Sequence, residues 1–241
     1  MARRAVGSNQ YKTRQVLGWH DWLPQHSPST ELLRRAAQSV SSSGADGKPV
    51  RDRNRLALET SSVRMLRHLV QDPVLEVRLA AAANHHCSDE LLVLLADDSD
   101  AQVREMVARR SDCPLPALDA LALDPDRHVR AATAKHGRCS EPALQILAQD
   151  LVVAVRQGVA HNRGCPGWLL EHLANDPCAE VRREVASNIG CPSGLLERLA
   201  HDESSQVRQT VMFNPNCPQR LHSYLRTAHV RLRKYAAAQH Q

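Results

Sequence analysis

Residues 165–190 read CPGWLLEHLANDPCAEVRREVASNIG, and this stretch sets the architecture of the chain. Leu169, Leu170, Leu173 and Ala174 follow the i, i+1, i+4, i+5 spacing of one apolar helix face. Pro166 suits the first helical position, because a proline there gives up only an N–H that lacks an intrahelical acceptor. Asp176-Pro177 predicts the stop of that helix and the start of another, with Asp176 as N-cap and Pro177 at the first position. Val181, Val185 and Ala186 make the buried face of the second helix. Asn188 and Gly190 suit a left-handed or turn geometry that ends it. Helices this short are unstable alone and need neighbours.

The neighbours are copies. Cysteine occurs at Cys87, Cys113, Cys139, Cys165, Cys191 and Cys217, each 26 residues after the last. A Val-Arg dipeptide recurs at the same period and gives Arg78, Arg104, Arg130, Arg156, Arg182 and Arg208. Aspartate recurs as Asp72, Asp98, Asp124, Asp150, Asp176 and Asp202, and leucine runs from Leu69 to Leu225 in the same register. Such periodicity is the mark of stacked supersecondary units. The expected fold is all-α: a solenoid of two-helix repeats that bury one continuous Leu-Val-Ala seam.

The ladders read as scaffold. Packed helices lie roughly 8–10 Å apart, whereas a disulfide needs Cα atoms within about 7 Å and zinc-bound thiolates nearly touch. Cysteines stepping by one repeat meet neither condition, so they are expected to fill space as small buried residues. No zinc-type ligand spacing, nucleotide loop or nucleophile elbow is present, and no metal, cofactor or catalysis is expected. Each Asp is expected to cap a helix, and each Arg to pair with carboxylates or carbonyls between repeats. The competing reading, a stripe of arginines gripping phosphates, requires those arginines to line an open groove without acidic partners.

Composition narrows the class. No apolar run of about 18 residues exists, so no membrane span is expected. The start MARRAVGSNQYK lacks the apolar region of a secretory signal. With seven cysteines, an odd number, this argues for reduced thiols in a cytoplasm. Arginine outnumbers lysine 27 to 4, a hint of a GC-rich bacterial genome. Residues 1–60 carry a net +5 and 218–241 another +5, which leaves −5 for 61–217. An acidic centre makes a poor general groove for nucleic acid.

The units NPNCP at 214–218, CPSGLLERLAHD at 191–202 and DPCAEVRREVASN at 176–188 resemble the leucine-rich repeat variant family. The resemblance spans about residues 62–225, with a degenerate half-unit before it (RNRLALETSS) and a truncated one after (HVRLRKYAAA). It implies a right-handed superhelix of alternating α and 3-10 helices, which leaves the second helix of each unit open between α and 3-10, and no established catalytic activity. A member of that family carries a cysteine-rich N-terminal segment that binds a four-iron, four-sulfur cluster. Residues 1–60 of this chain contain no cysteine, so no cluster is expected. Asp-Pro followed by Val-Arg also resembles HEAT-type repeats, including bilin-lyase subunits and a DNA glycosylase family. That keeps base-excision repair, or an accessory role in a pigment-protein or iron–sulfur system, among the alternatives.

Partner choice is expected where the units differ. In DLVVAVRQGVAHN, Leu151, Val152 and Val153 replace the usual Pro and polar residues, and Gly158 weakens the helix. They form either an apolar patch for a partner or a local change in packing. Arg109 and Arg110, then Lys135, His136 and Arg138, then Arg163 with His161, put positive charge on successive turns before the cysteines. Stacked, these turns would make a basic strip for an acidic partner or nucleic acid; the alternative is solvated loop charge. Residues 1–50 form a separate segment: Trp19 and Trp22 in GWHDWLPQ, a capped helix in SPSTELLRRAAQS, and a Ser/Gly linker at 41–49. It either caps the solenoid of 51–241 or docks a partner. The function expected is protein–protein interaction by a non-catalytic scaffold, with nucleic-acid binding as the rival.

Overall fold

Leu169, Leu170 and Leu173 are all buried, on a helix that runs Gly167–Leu173. The carbonyl of Pro166, the N-cap, accepts from the N–H groups of Leu169 and Leu170 at 3.0 and 3.1 Å. At the other end, Asn175 and Asp176 donate back three residues, to His172 and Leu173, which tightens the last turn. A second helix, Ala179–Ser187, buries Val181, Val185 and Ala186. It starts two residues later than the sequence predicts: Cys178 is its N-cap, and Asp176 lies outside it. The reason is that the Asp176 carboxylate is drawn elsewhere, accepting from the Cys178 N–H at 2.8 Å and from Arg156 of the preceding repeat. The chain therefore makes an Asx turn before the helix begins.

The computed structural model describes residues 48–225. The chain divides into two units, Met1–Arg53 and Asn54–Gln241, and the repeats lie in the second. The expected helix and tryptophans of the N-terminal segment, and the truncated unit at 229–238, lie outside the described residues. Of the expected linker at 41–49, Lys48 and Pro49 instead open helix α1, Lys48–Glu59. The first helices of the repeats are α2 (Val63–Leu69), α4 (Asp89–Leu95), α6 (Leu115–Leu121), α8 (Glu141–Leu147), α10 (Gly167–Leu173) and α12 (Ser193–Leu199). The second helices are α3 (Leu75–Ala83), α5 (Ala101–Arg109), α7 (Arg127–Lys135), α9 (Val153–His161), α11 (Ala179–Ser187) and α13 (Ser205–Phe213). A further helical run occupies 219–225.

Both helices of each repeat are α, unlike the alternation that the family resemblance implies; the 3-10-type bonds are confined to the helix ends and turns. Second helices pack directly on one another in the order α3, α5, α7, α9, α11, α13 and form one layer. The first helices form the other, and the Leu-Val-Ala core runs between them without a break from Ala122 to Leu225. Each fully buried Leu or Val contributes roughly 1.5–3 kcal/mol by leaving water.

One contact in the second-helix layer is tighter than the pattern demands. A Cβ added at Gly158 on α9 would lie 2.8 Å from Ala134 Cβ and 3.2 Å from Ala131 O on α7. Glycine costs a helix interior about 1 kcal/mol relative to alanine, and here it lets the two helices close together.

Candidate interaction surface

The two charged ladders hold each other. Arg156 Nε and Nη2 donate to the two carboxylate oxygens of Asp176 at 2.6 and 3.0 Å. Its Nη1 donates to the main-chain carbonyl of Asp150 at 2.7 Å. The same clasp joins Arg78 to Asp98, Arg104 to Asp124, Arg130 to Asp150 and Arg182 to Asp202. Arg208, the last of the series, grips the Asp202 carbonyl at 2.6 Å. The first five arginines thus each tie their own turn to the next repeat in bidentate geometry. The Arg156 side chain is 12% exposed and that of Asp176 is 5%. Burial alone would raise Asp176, but Arg156 and the Cys178 N–H hold it below the usual carboxylate range. Asp150 and Asp202 are lowered in the same way, and the paired arginines are raised by their aspartates. These guanidinium groups face carboxylates, so they do not form the open stripe that phosphate gripping requires.

Asparagines form a third ladder. Asn162 donates through Nδ2 to the carbonyls of Ala134 and His136, both at 2.8 Å, and its Oδ1 accepts from the Gly164 N–H. Asn188 and Asn214 repeat this on the turn before them, and Asn84 grips Ala57, Leu58 and Thr60. The asparagines share one register, but Arg110 and His136 interrupt the series at two positions, which hides the period. Asn188 ends its helix at φ −67°, ψ 128°, an extended conformation rather than the left-handed one.

Arg110 and His136 are the substitutes. Arg110 Nη1 reaches the carbonyls of Ala82 and Asn84, both at 2.7 Å, the two acceptors an asparagine would take. Its remaining donors clasp Asp112, which they hold below the usual carboxylate range. His136 is buried; its Nδ1 accepts from the Arg138 N–H, so Nε2 carries the hydrogen and donates to Arg110 O at 2.7 Å. Two residues of the expected basic strip therefore point into the scaffold. Arg109, Lys135, Arg138 and Arg163 do lie exposed, with Arg109 bridged to Glu105 on its own helix. The expected apolar patch shrinks similarly: Leu151 is 96% exposed, while Val152 and Val153 pack against the core as α9 begins.

The ladder cysteines sit at the turns as free thiols, most of them buried. Burial pushes Cys139, Cys165 and Cys191 up to about 12, and Cys87 and Cys113 up to about 11, so each stays a neutral thiol at pH 7.

The second-helix layer carries a cleft of about 640 Å³ over α5, α7 and α9. Its floor is made by Ala131, Ala132 and Ala154, where other repeats place longer side chains such as Glu105, Met106 and Glu180. Lys135, His128 and Arg138 stand at its edge with the Glu105–Arg109 pair. Lys135 and Arg138 form no salt bridge among the described residues, and Asp112, the carboxylate that feels Arg138, is already clasped by Arg110. Among the described residues no group of three His, Cys, Asp or Glu is placed to hold a metal ion, and no helix is long and apolar enough to cross a membrane.

Two stretches, 101–126 and 179–204, match the family model described as leucine rich repeat variant. They fall on corresponding parts of different repeats, each beginning at a second helix. A solved structure described as a leucine-rich repeat variant with a novel repetitive protein structural motif is similar at 27% identity, over 71% of this chain and 78% of that one, with a TM-score of 0.38. No curated protein matches the chain.

Proposed function

Because two of its repeats match the leucine rich repeat variant model, we propose that the chain is a non-catalytic scaffold that binds another protein through the exposed face of its stacked second helices. One observation carries this reading. A single register position, exposed in every repeat, holds Glu76, Gln102, His128, Ala154, Glu180 and Gln206 in turn. The ladder leucines, aspartates and arginines are turned inward and hold the stack; the residues at this position differ and face outward, where a partner reads them. Shape and charge complementarity over several repeats then supplies specificity, as expected of an extended solenoid surface. The carboxylate-paired arginines weigh against nucleic acid as the partner, since phosphate binding needs free cations in a track. Buried free thiols suit a reducing cytoplasm.

The test is purification of the chain from its own cells with nuclease present throughout. The reading expects a stoichiometric protein companion that survives nuclease and dissociates as ionic strength rises. A companion that disappears with nuclease would favour the nucleic-acid alternative.

A further inference from the structure

The cleft over α5, α7 and α9 differs in charge from the second helices on either side of it. Its walls hold three cations, Arg109, Lys135 and Arg138, against one carboxylate, Glu105. Arg109 and Glu105 neutralise each other at 2.5 Å, which leaves Lys135 and Arg138 as the lining cations without a salt bridge. The surrounding stretch, 61–217, is acidic overall, so this is a local reversal of sign. His128 on the same rim adds a hydrogen-bonding ring, with Arg127 Nε 3.4 Å from its Nε2. The alanine floor offers methyl groups and no competing polar side chains.

We infer that this cleft, resting on the scaffold reading above, receives a short acidic segment of the partner protein, its carboxylates paired with Lys135 and Arg138 and its chain lying over the alanine floor. The size is appropriate: ligand clefts run about 300–1,000 Å³. The limits of the positive patch favour a peptide over a nucleic acid. Glu76 on α3 and Glu180 and Glu184 on α11 bracket it on the same layer, so a phosphate backbone tracking along the stack would run into carboxylates. A short peptide stops before reaching them. Elsewhere Arg78, Arg104, Arg130, Arg156 and Arg182 already hold aspartates, whereas Lys135 and Arg138 retain their donors for a ligand.

The experiment measures fluorescence anisotropy of a labelled octaglutamate peptide with the full chain at low ionic strength. An octalysine peptide and a single-stranded oligonucleotide of equal charge serve as comparisons. Lys135→Glu/Arg138→Glu is set against Arg67→Glu/Arg220→Glu, which changes net charge equally at exposed sites remote from the cleft. Circular dichroism melting checks that both variants stay folded. The expected result is saturable octaglutamate binding that weakens about tenfold or more in the cleft variant and less than about twofold in the control. Equal losses in the two variants, no saturable octaglutamate binding, or tighter binding of the oligonucleotide would overturn the inference. A companion protein that still co-purifies after such a result would leave the scaffold reading intact and move its docking point elsewhere.

Discussion

Asn188 illustrates how one side chain can stand in for a whole interface. It holds the carbonyls of Ala160 and Asn162, which belong to the preceding repeat, and organises its own turn through Gly190. Replacing it with alanine removes both donors from buried acceptors. The expected cost is about 2–4 kcal/mol in urea unfolding, at roughly 1–2 for each stranded carbonyl. His136 makes the opposite prediction. It has one N–H to give where asparagine has two, so His136→Asn adds a donor aimed at the carbonyl of Ala108 while keeping an acceptor for the Arg138 N–H. Thermal unfolding should move up, by an amount worth about 1 kcal/mol. A fall would show that the imidazole packs in a way asparagine cannot match. Gly158→Ala, which improves intrinsic helix propensity, is expected to lower stability by about 1–3 kcal/mol, because the new methyl would press on Ala134 and Ala131.

At the level of the element, the arginine clasp decides where each second helix begins. The sequence shows the recurring Asp and Arg plainly, and their mutual pairing is legible from the matched period. The helix start is not, because Asp176 looks like an N-cap until Arg156 is in place to draw its carboxylate away. The asparagine ladder is illegible for a related reason: Arg110 and His136 perform its work with different chemistry, and only geometry shows the equivalence. Charge alone places those two residues on the outer surface, whereas the acceptors at the turn pull both inward. What the sequence does show without help is the core, since Leu169, Leu170 and Leu173 need only one helical face to explain them. A pH prediction belongs here. Asp150, Asp176 and Asp202 have folded-state pKa values below their unfolded ones. Their contribution to stability is therefore complete above the unfolded value of about 3.9 and is lost as pH falls through the lower folded values. Melting temperature should hold from neutrality to about pH 5 as far as these groups are concerned, then drop steeply below about pH 4. In the variant Arg156→Met/Asp176→Leu that acid-side drop should shrink.

Over the whole stack, the ladder residues face each other, while the position of Glu76, Gln102, His128, Ala154, Glu180 and Gln206 faces out with a different residue type in most repeats. Interactions between adjacent repeats dominate such an arrangement, so damage at one interface weakens the two layers that share it. The surface is freed for recognition because scaffold and partner draw on separate residues. The measurement that bears most directly on this division is site-specific photo-cross-linking in the native cell. A photoreactive residue is placed in turn at Ala154 and Lys135 on the second-helix layer, and at Ile146 and Trp168 on the exposed side of the first helices. The account predicts discrete protein adducts from positions 154 and 135, and few or none from 146 and 168. Adducts confined to 146 and 168, or adducts to nucleic acid from any of the four, would contradict it.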